Sequence, residues 1–146
     1  MPRAIARLAA GEAGTRPIRD TLLLDHRERK TPTGIATGLR GHRIEFALPR
    51  GTALFHDDLL LLDDGGVVEI VARPEPLIEI RAADASVLAR AAWLLGDHHI
   101  PAELSERRLR VLRDAAIAPL LAPVGVKLGE IEAPFEPEGG AYHHRV

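Results

Sequence analysis

The 146-residue chain contains no cysteine. That absence excludes a disulfide framework, a thiol nucleophile, an iron–sulfur cluster and a thiolate zinc site. Any transition-metal site must then be built from imidazole and carboxylate, donors that suit nickel, copper, zinc or cobalt rather than copper(I). Aromatic residues are scarce, at 3%, so the core has to be aliphatic. An excess of one charge is also missing. The 19 basic residues face 21 acidic ones, and a formal charge of −2 provides no broad field to hold a nucleic acid. Lysine is nearly absent, at Lys30 and Lys127 only, which is a habit of composition without functional weight. No uncharged apolar run approaches the roughly 18 residues of a membrane span. Arg7 and Glu12 interrupt the N-terminal segment where a secretory leader would need to be apolar. The expectation is a cytoplasmic protein that binds neither nucleic acid nor membrane.

What is present reads as two domains. In residues 43–48, Ile44, Phe46 and Leu48 alternate with Arg43, Glu45 and Ala47, the period of a strand with one buried face. Short apolar runs at 21–24, 59–62 and 67–72 add further strands, and Asp63-Asp64-Gly65-Gly66 is a hairpin signal. No helical period occurs in this half, so residues 1–75 are expected to form an all-β domain.

Residues 76–146 change character. A strand at 76–82 leads to Asp84, placed as a helix N-cap, and Leu88, Ala91, Ala92 and Leu95 form an amphipathic stripe that Gly96 is expected to end. Strands follow at 100–104 and 107–113. Asp114 is placed to cap a second helix, with Pro119 past its first turn as a distortion, and a last strand covers 126–133. The order β-α-β-β-α-β is the ferredoxin-like arrangement, making the chain α+β: an N-terminal β domain and then a ferredoxin-like domain with a C-terminal tail. Fold alone names no chemistry.

Chemistry gathers at Gly96-Asp97-His98-His99, just beyond the first helix. Neighbouring residues point to opposite sides, so one imidazole can face a ligand while the other faces solvent or packs. One imidazole holds a divalent ion weakly. A two-fold dimer with His99 near its axis would bring two together. His143 and His144, in the tail, could complete such a site and leave it open enough to release its ion. The plainer reading is that these histidines are solvated and that the chain is a protein-interaction module without a specific metal site. His26, His42 and His56 lie among charged or turn residues and read as surface groups. Asp57, Asp58, Asp63 and Asp64 lack the spacing of a calcium loop. No nucleophile elbow, phosphate loop or dinucleotide fingerprint is found, and no enzymatic activity is expected.

The motifs also follow a family order. The segment 27–30, Leu48-Pro49-Arg50-Gly51, the Asp64-Gly65 hairpin, Gly96-Asp97-His98-His99, and Pro134-Phe135-Glu136-Pro137-Glu138 with Gly140-Ala141-Tyr142 run in sequence over most of the chain. Together they resemble the urease accessory metallochaperones, the UreE family. The resemblance implies a nickel carrier, with zinc or copper possible at the same site, that delivers ions for assembly of the urease active site. It implies a homodimer whose interface histidine corresponds to His99. Asp97 and His98 stand where the family has Asn and Arg, so His98 is either an added ligand or a replaced surface arginine. Ala115 stands where many members carry a further histidine, and the tail has only His143 and His144. Few ions per dimer are therefore expected. The implied partners are the urease accessory GTPase and, through it, the urease apoprotein complex, with the N-terminal domain engaging partner proteins.

Overall fold

Residues that alternate inward and outward build the first unit, Met1–Arg73. The structure, a computed structural model, describes residues 1–9 and 11–139. Strands β1 (Arg3–Leu8), β2 (Ile18–Leu24), β3 (Thr33–Thr37), β4 (Arg43–Ala47), β5 (Leu59–Leu62) and β6 (Val67–Ala72) form one sheet in the order β2-β6-β5-β1-β4-β3. Two pairs in it are parallel, β1 with β4 and β2 with β6. Every second residue enters one core: Leu22 and Leu24, Ile44 and Phe46, Leu60 and Leu62, Val68 and Ile70. The pattern at 43–48 predicts this core, but β1 and β3 are not evident from periodicity. The inward residue of β1 is Ala4 while Ile5 faces out, and β3 is an edge strand whose only contribution to the core is the half-buried Ala36.

A buried carboxylate closes this unit's β3–β4 loop. Asp20, 1% exposed, accepts backbone N–H bonds from Thr21, Arg40 and His42 and lies 3.0 Å from Nδ1 of His42. Burial alone would raise its pKa, but the Arg40 and Thr21 amides and the His42 ring and amide lower it to about 2. Gly38 has no room for a side chain, since a Cβ there would meet the Asp20 carboxylate.

The second unit starts at Pro74. Strands β7 (Pro74–Arg81), β8 (Ala102–Leu104), β9 (Leu109–Leu112) and β10 (Lys127–Pro134) form an antiparallel sheet in the order β10-β7-β9-β8. Helix α1 (Ala85–Asp97) follows β7, and the short α2 (Ile117–Leu121) follows β9. Both pack on one face, where Ile78, Ile80, Leu109 and Val111 meet Leu88, Ala91, Leu95, Ile117 and Leu121. The chain as a whole is therefore mixed α and β, with a β-rich first half. The second helix starts later than Asp114 would predict. Asp114 instead accepts the Ala116 amide at 2.8 Å, and the helix begins at Ile117. Pro119 thus falls in the first turn, where its missing N–H removes no ladder bond.

The sheet face away from the helices is mixed, with the buried Leu77 between Leu112 and Ile131 and a polar row beside them. The register places Glu79, Arg110 and Glu103 side by side on β7, β9 and β8. Arg110 binds Glu79 at 3.1 Å and Arg108 binds Glu103 at 2.9 Å. Burial would raise the Glu79 carboxyl, but hydrogen bonds from Arg81 and Arg110 hold it below the usual range. After β10, at one edge, the chain crosses this face. Glu136 donates its amide to Oε1 of Glu103 at 2.9 Å, and Glu138 donates to the carbonyl of Ala102, in the opposite edge strand, at 2.8 Å. Three inter-strand gaps of ~4.8 Å make about 14 Å. Four extended steps of ~3.4 Å from Pro134 to Glu138 cover the same distance. Residues 135–138 are an extended strap, with Phe135 and Pro137 buried beneath it.

Candidate metal site

The site is built by how α1 starts and stops. Asp84 caps its N-terminus, accepting the Val87 amide at 3.0 Å and the Ser86 hydroxyl at 2.6 Å. These bonds hold the Asp84 carboxyl below its ordinary range. Leu88, Ala91 and Leu95 anchor the inner face. The helix does not end at Gly96, as the glycine predicts, but continues to Asp97 with His98 as its C-cap. His99 takes the left-handed position at φ 57. Its amide bonds the Gly96 carbonyl at 3.0 Å, and the Ile100 amide bonds the Leu95 carbonyl at 3.0 Å. This is the paired bonding of a Schellman stop, which ordinarily puts glycine where His99 stands.

A side chain in the left-handed region costs about 1–2 kcal/mol. Histidine is among the residues that tolerate it best, after Asn and Asp. Strain of this kind gathers where a side chain has work to do. Both His98 and His99 are exposed. Among the described residues neither ring has a hydrogen bond or an ion pair, so each retains a nitrogen lone pair for a ligand. The two rings are neighbours in the chain, but nothing else assembles around them: among the described residues no group of three or more His, Asp or Glu side chains could hold a metal ion. His143 and His144 lie outside the described residues.

Trp93 lies one turn before Asp97 on the exposed face of α1, 69% exposed and following Ala89 along that face. Sequence reasoning passed over it, although the only tryptophan of the chain on the polar side of an amphipathic helix is a readable signal. It passed over Glu103 as well, since a three-residue strand shows no period. A pocket of about 310 Å³ at the other end of α1 is lined by residues including Arg81, Asp84, Leu88 and Arg107, and no histidine contributes to it.

The remaining histidines sit differently. His26 was expected at the surface but is 8% exposed. His42 is held on Asp20, and His56 accepts the Ala72 amide at Nδ1. Asp58 accepts the Phe55 amide and Asp64 that of Gly66, each within its own turn, whereas Asp63 accepts the Arg3 amide from β1.

Fold and site together define a two-unit protein of mixed α and β structure whose exposed imidazole, at a strained helix end, has no partner among the described residues. A family model described as "UreE urease accessory protein, C-terminal domain" matches residues 75–146. The chain is similar to the urease accessory protein UreE of Ruegeria sp. (strain TM1040), 41% identical over 98% of this chain and 80% of that protein. It is 47% identical to the UreE of Rhodopseudomonas palustris (strain HaA2), over 86% of this chain and 59% of that one. With the UreE of Bradyrhizobium sp. (strain BTAi1 / ATCC BAA-1182) it shares 44%, over 88% and 62%. The chain belongs to the urease accessory protein UreE family. It spans about three fifths of the length of the Rhodopseudomonas and Bradyrhizobium relatives. All of these relatives are named accessory proteins rather than catalysts, and among the described residues no helix is long and apolar enough to cross a membrane.

Proposed function

We propose that the chain is a cytoplasmic nickel carrier without catalytic activity, which delivers ions for assembly of the urease active site. His99 from each of two subunits forms the core of the ion site, His143 and His144 complete it, and His98 adds a ligand or a solvated neighbour. The observation that carries this reading is His99 itself: a residue held in a costly backbone conformation, its ring exposed and, among the described residues, bonded to nothing. A structural histidine would be paired, as His42 is.

Three further features support it. One chain offers too few donors among its described residues, so a homodimer supplies the second imidazole. Trp93, exposed beside the histidine end of α1, is a suitable aromatic anchor for that second copy. Glu138 bonds Ala102, three residues from His99, and His143 follows five residues later in the sequence. The strand order β10-β7-β9-β8, with both helices on one face, supports the ferredoxin-like reading of a domain from 76 to 146 after a β domain of 1–75. The urease accessory GTPase and the urease apoprotein complex are the partners proposed, with the first domain engaging them. Zinc and copper accept the same donors and would compete with nickel.

Calorimetric titration with nickel, set against mass in solution, tests the reading. The expected result is one tight ion per dimer, lost in His99→Ala and retained in the alanine variants of His26 and His56. Nickel binding undiminished in His99→Ala overturns the site. No binding at all leaves the interaction module as the function.

A further inference from the structure

The β3–β4 loop is held at every amide from Gly38 to His42. Gly38 donates to the His42 carbonyl at 2.8 Å, Leu39 to the Thr21 carbonyl at 3.0 Å, and Gly41 to the Gly38 carbonyl at 3.0 Å. The Arg40 and His42 amides end on the Asp20 carboxylate, at 2.9 and 3.1 Å. These bonds tie the loop to β2, and any residue with an amide would make them. They do not account for the side chain at position 39. Leu39 is 71% exposed, more than Trp93, at a loop tip where turn chemistry favours polar residues. A single exposed leucine on a loose loop needs no explanation. This one is displayed on a fixed backbone. Arg40 and Arg43 flank it, both exposed, and among the described residues neither forms an ion pair.

We propose that this loop is a docking knob: Leu39 enters an apolar socket on a partner protein, and Arg40 and Arg43 meet carboxylates on the rim of that socket. This rests on the reading that the first domain engages the urease accessory GTPase, which is the occupant named here. A loop already fixed loses little freedom on binding, so most of the contact energy is kept. An apolar centre with charge around it is the arrangement of an interface core and its rim. Two guanidiniums without carboxylates of their own favour an acidic partner. They also disfavour a second copy of the same loop, whose charge has the same sign.

The test titrates the full chain with the purified GTPase and records mass in solution. Leu39→Ala is expected to weaken the complex about tenfold. Leu39→Met, of similar volume, should keep it. Arg40→Glu combined with Arg43→Glu should slow association about tenfold at low salt and remove most of its salt dependence. Ile35→Ala, at another exposed apolar position in β3, is the control and should bind as the parent does. Parental affinity in Leu39→Ala overturns the knob, and so does an equal loss in Ile35→Ala. A loss of dimer mass in Leu39→Ala assigns the loop to a second copy and also overturns it. Should the parent chain not bind the GTPase at all, the partner reading fails and the knob with it. That result is distinct from a complex that forms and is indifferent to position 39.

Discussion

The histidines of the two units are used in opposite ways. In the first unit His42 is bonded to a buried carboxylate, His56 accepts a backbone amide, and His26 is packed out of solvent. In the second, His98 and His99 are exposed, and among the described residues their rings bond nothing. Backbone strain does not separate the units, since each holds one side chain at positive φ, Asp57 at φ 70 in the first and His99 at φ 57 in the second. The first unit also places Gly38 where a side chain would strike the buried Asp20. What sets the second apart is that its strained residue is an imidazole. Imidazole that serves the fold is satisfied by the fold, whereas imidazole left over at a cost is the better candidate for a ligand.

The contrast can be broken at several points. His99→Gly should separate function from stability most sharply. It relieves the left-handed position, and thermal unfolding should show a gain of about 1 kcal/mol, while nickel affinity falls on the order of 100-fold. A loss of both would mean that the ring is structural after all. Asp20→Ala should act on the other unit alone. Three amides and a ring lose their acceptor at once, costing about 3 kcal/mol. Nickel affinity should stay at the parental value, and a parallel fall would abolish the division of labour.

Acid probes the same carboxylate without mutation. Its folded pKa, about 2, lies below the unfolded value near 3.9. The stability that it contributes is therefore complete above pH ~4 and is withdrawn as the pH falls through ~2. Asp20→Asn should flatten that part of the acid unfolding curve, and an unchanged curve would show that other carboxylates control it. Gly38→Ala, which drives a methyl into the Asp20 carboxylate, should cost about 2 kcal/mol. The smallest effect is expected at Gly96. It lies inside the helix with open space around it, so Gly96→Ala should stabilise by roughly 0.5–1 kcal/mol. Were Gly96 the helix stop, the same change would destabilise.

That last comparison shows where sequence reading succeeds and where it ends. The Asp84 cap and the stripe of Leu88, Ala91 and Leu95 locate α1 and place the histidines just beyond it, because both signals are local. Gly96 misleads, because the left-handed residue is chosen by which carbonyls the next amides reach, and that depends on Ile100 packing back onto the core. Strand β3 is missed because an exposed edge needs no buried apolar row. Asp20 and His42 are 22 residues apart, and Glu103 and Glu136 are 33 apart. Neither pairing leaves a local pattern, so both wait for the register of the sheets. The burial of His26 is hidden for the opposite reason: its neighbours in sequence are charged, while those in space are not evident from it.

The neighbouring placement of β7 and β10 has a consequence for biosynthesis. The strand that opens the second unit cannot find its full partner until the strand that closes the unit has left the ribosome. Until then one side of β7 is open, and pairings so distant along the chain are slow to form. The strap and the residues beyond it are translated later still. The crossing by residues 135–138 therefore follows closure of the sheet, and the Glu136 amide meets its Glu103 acceptor only then.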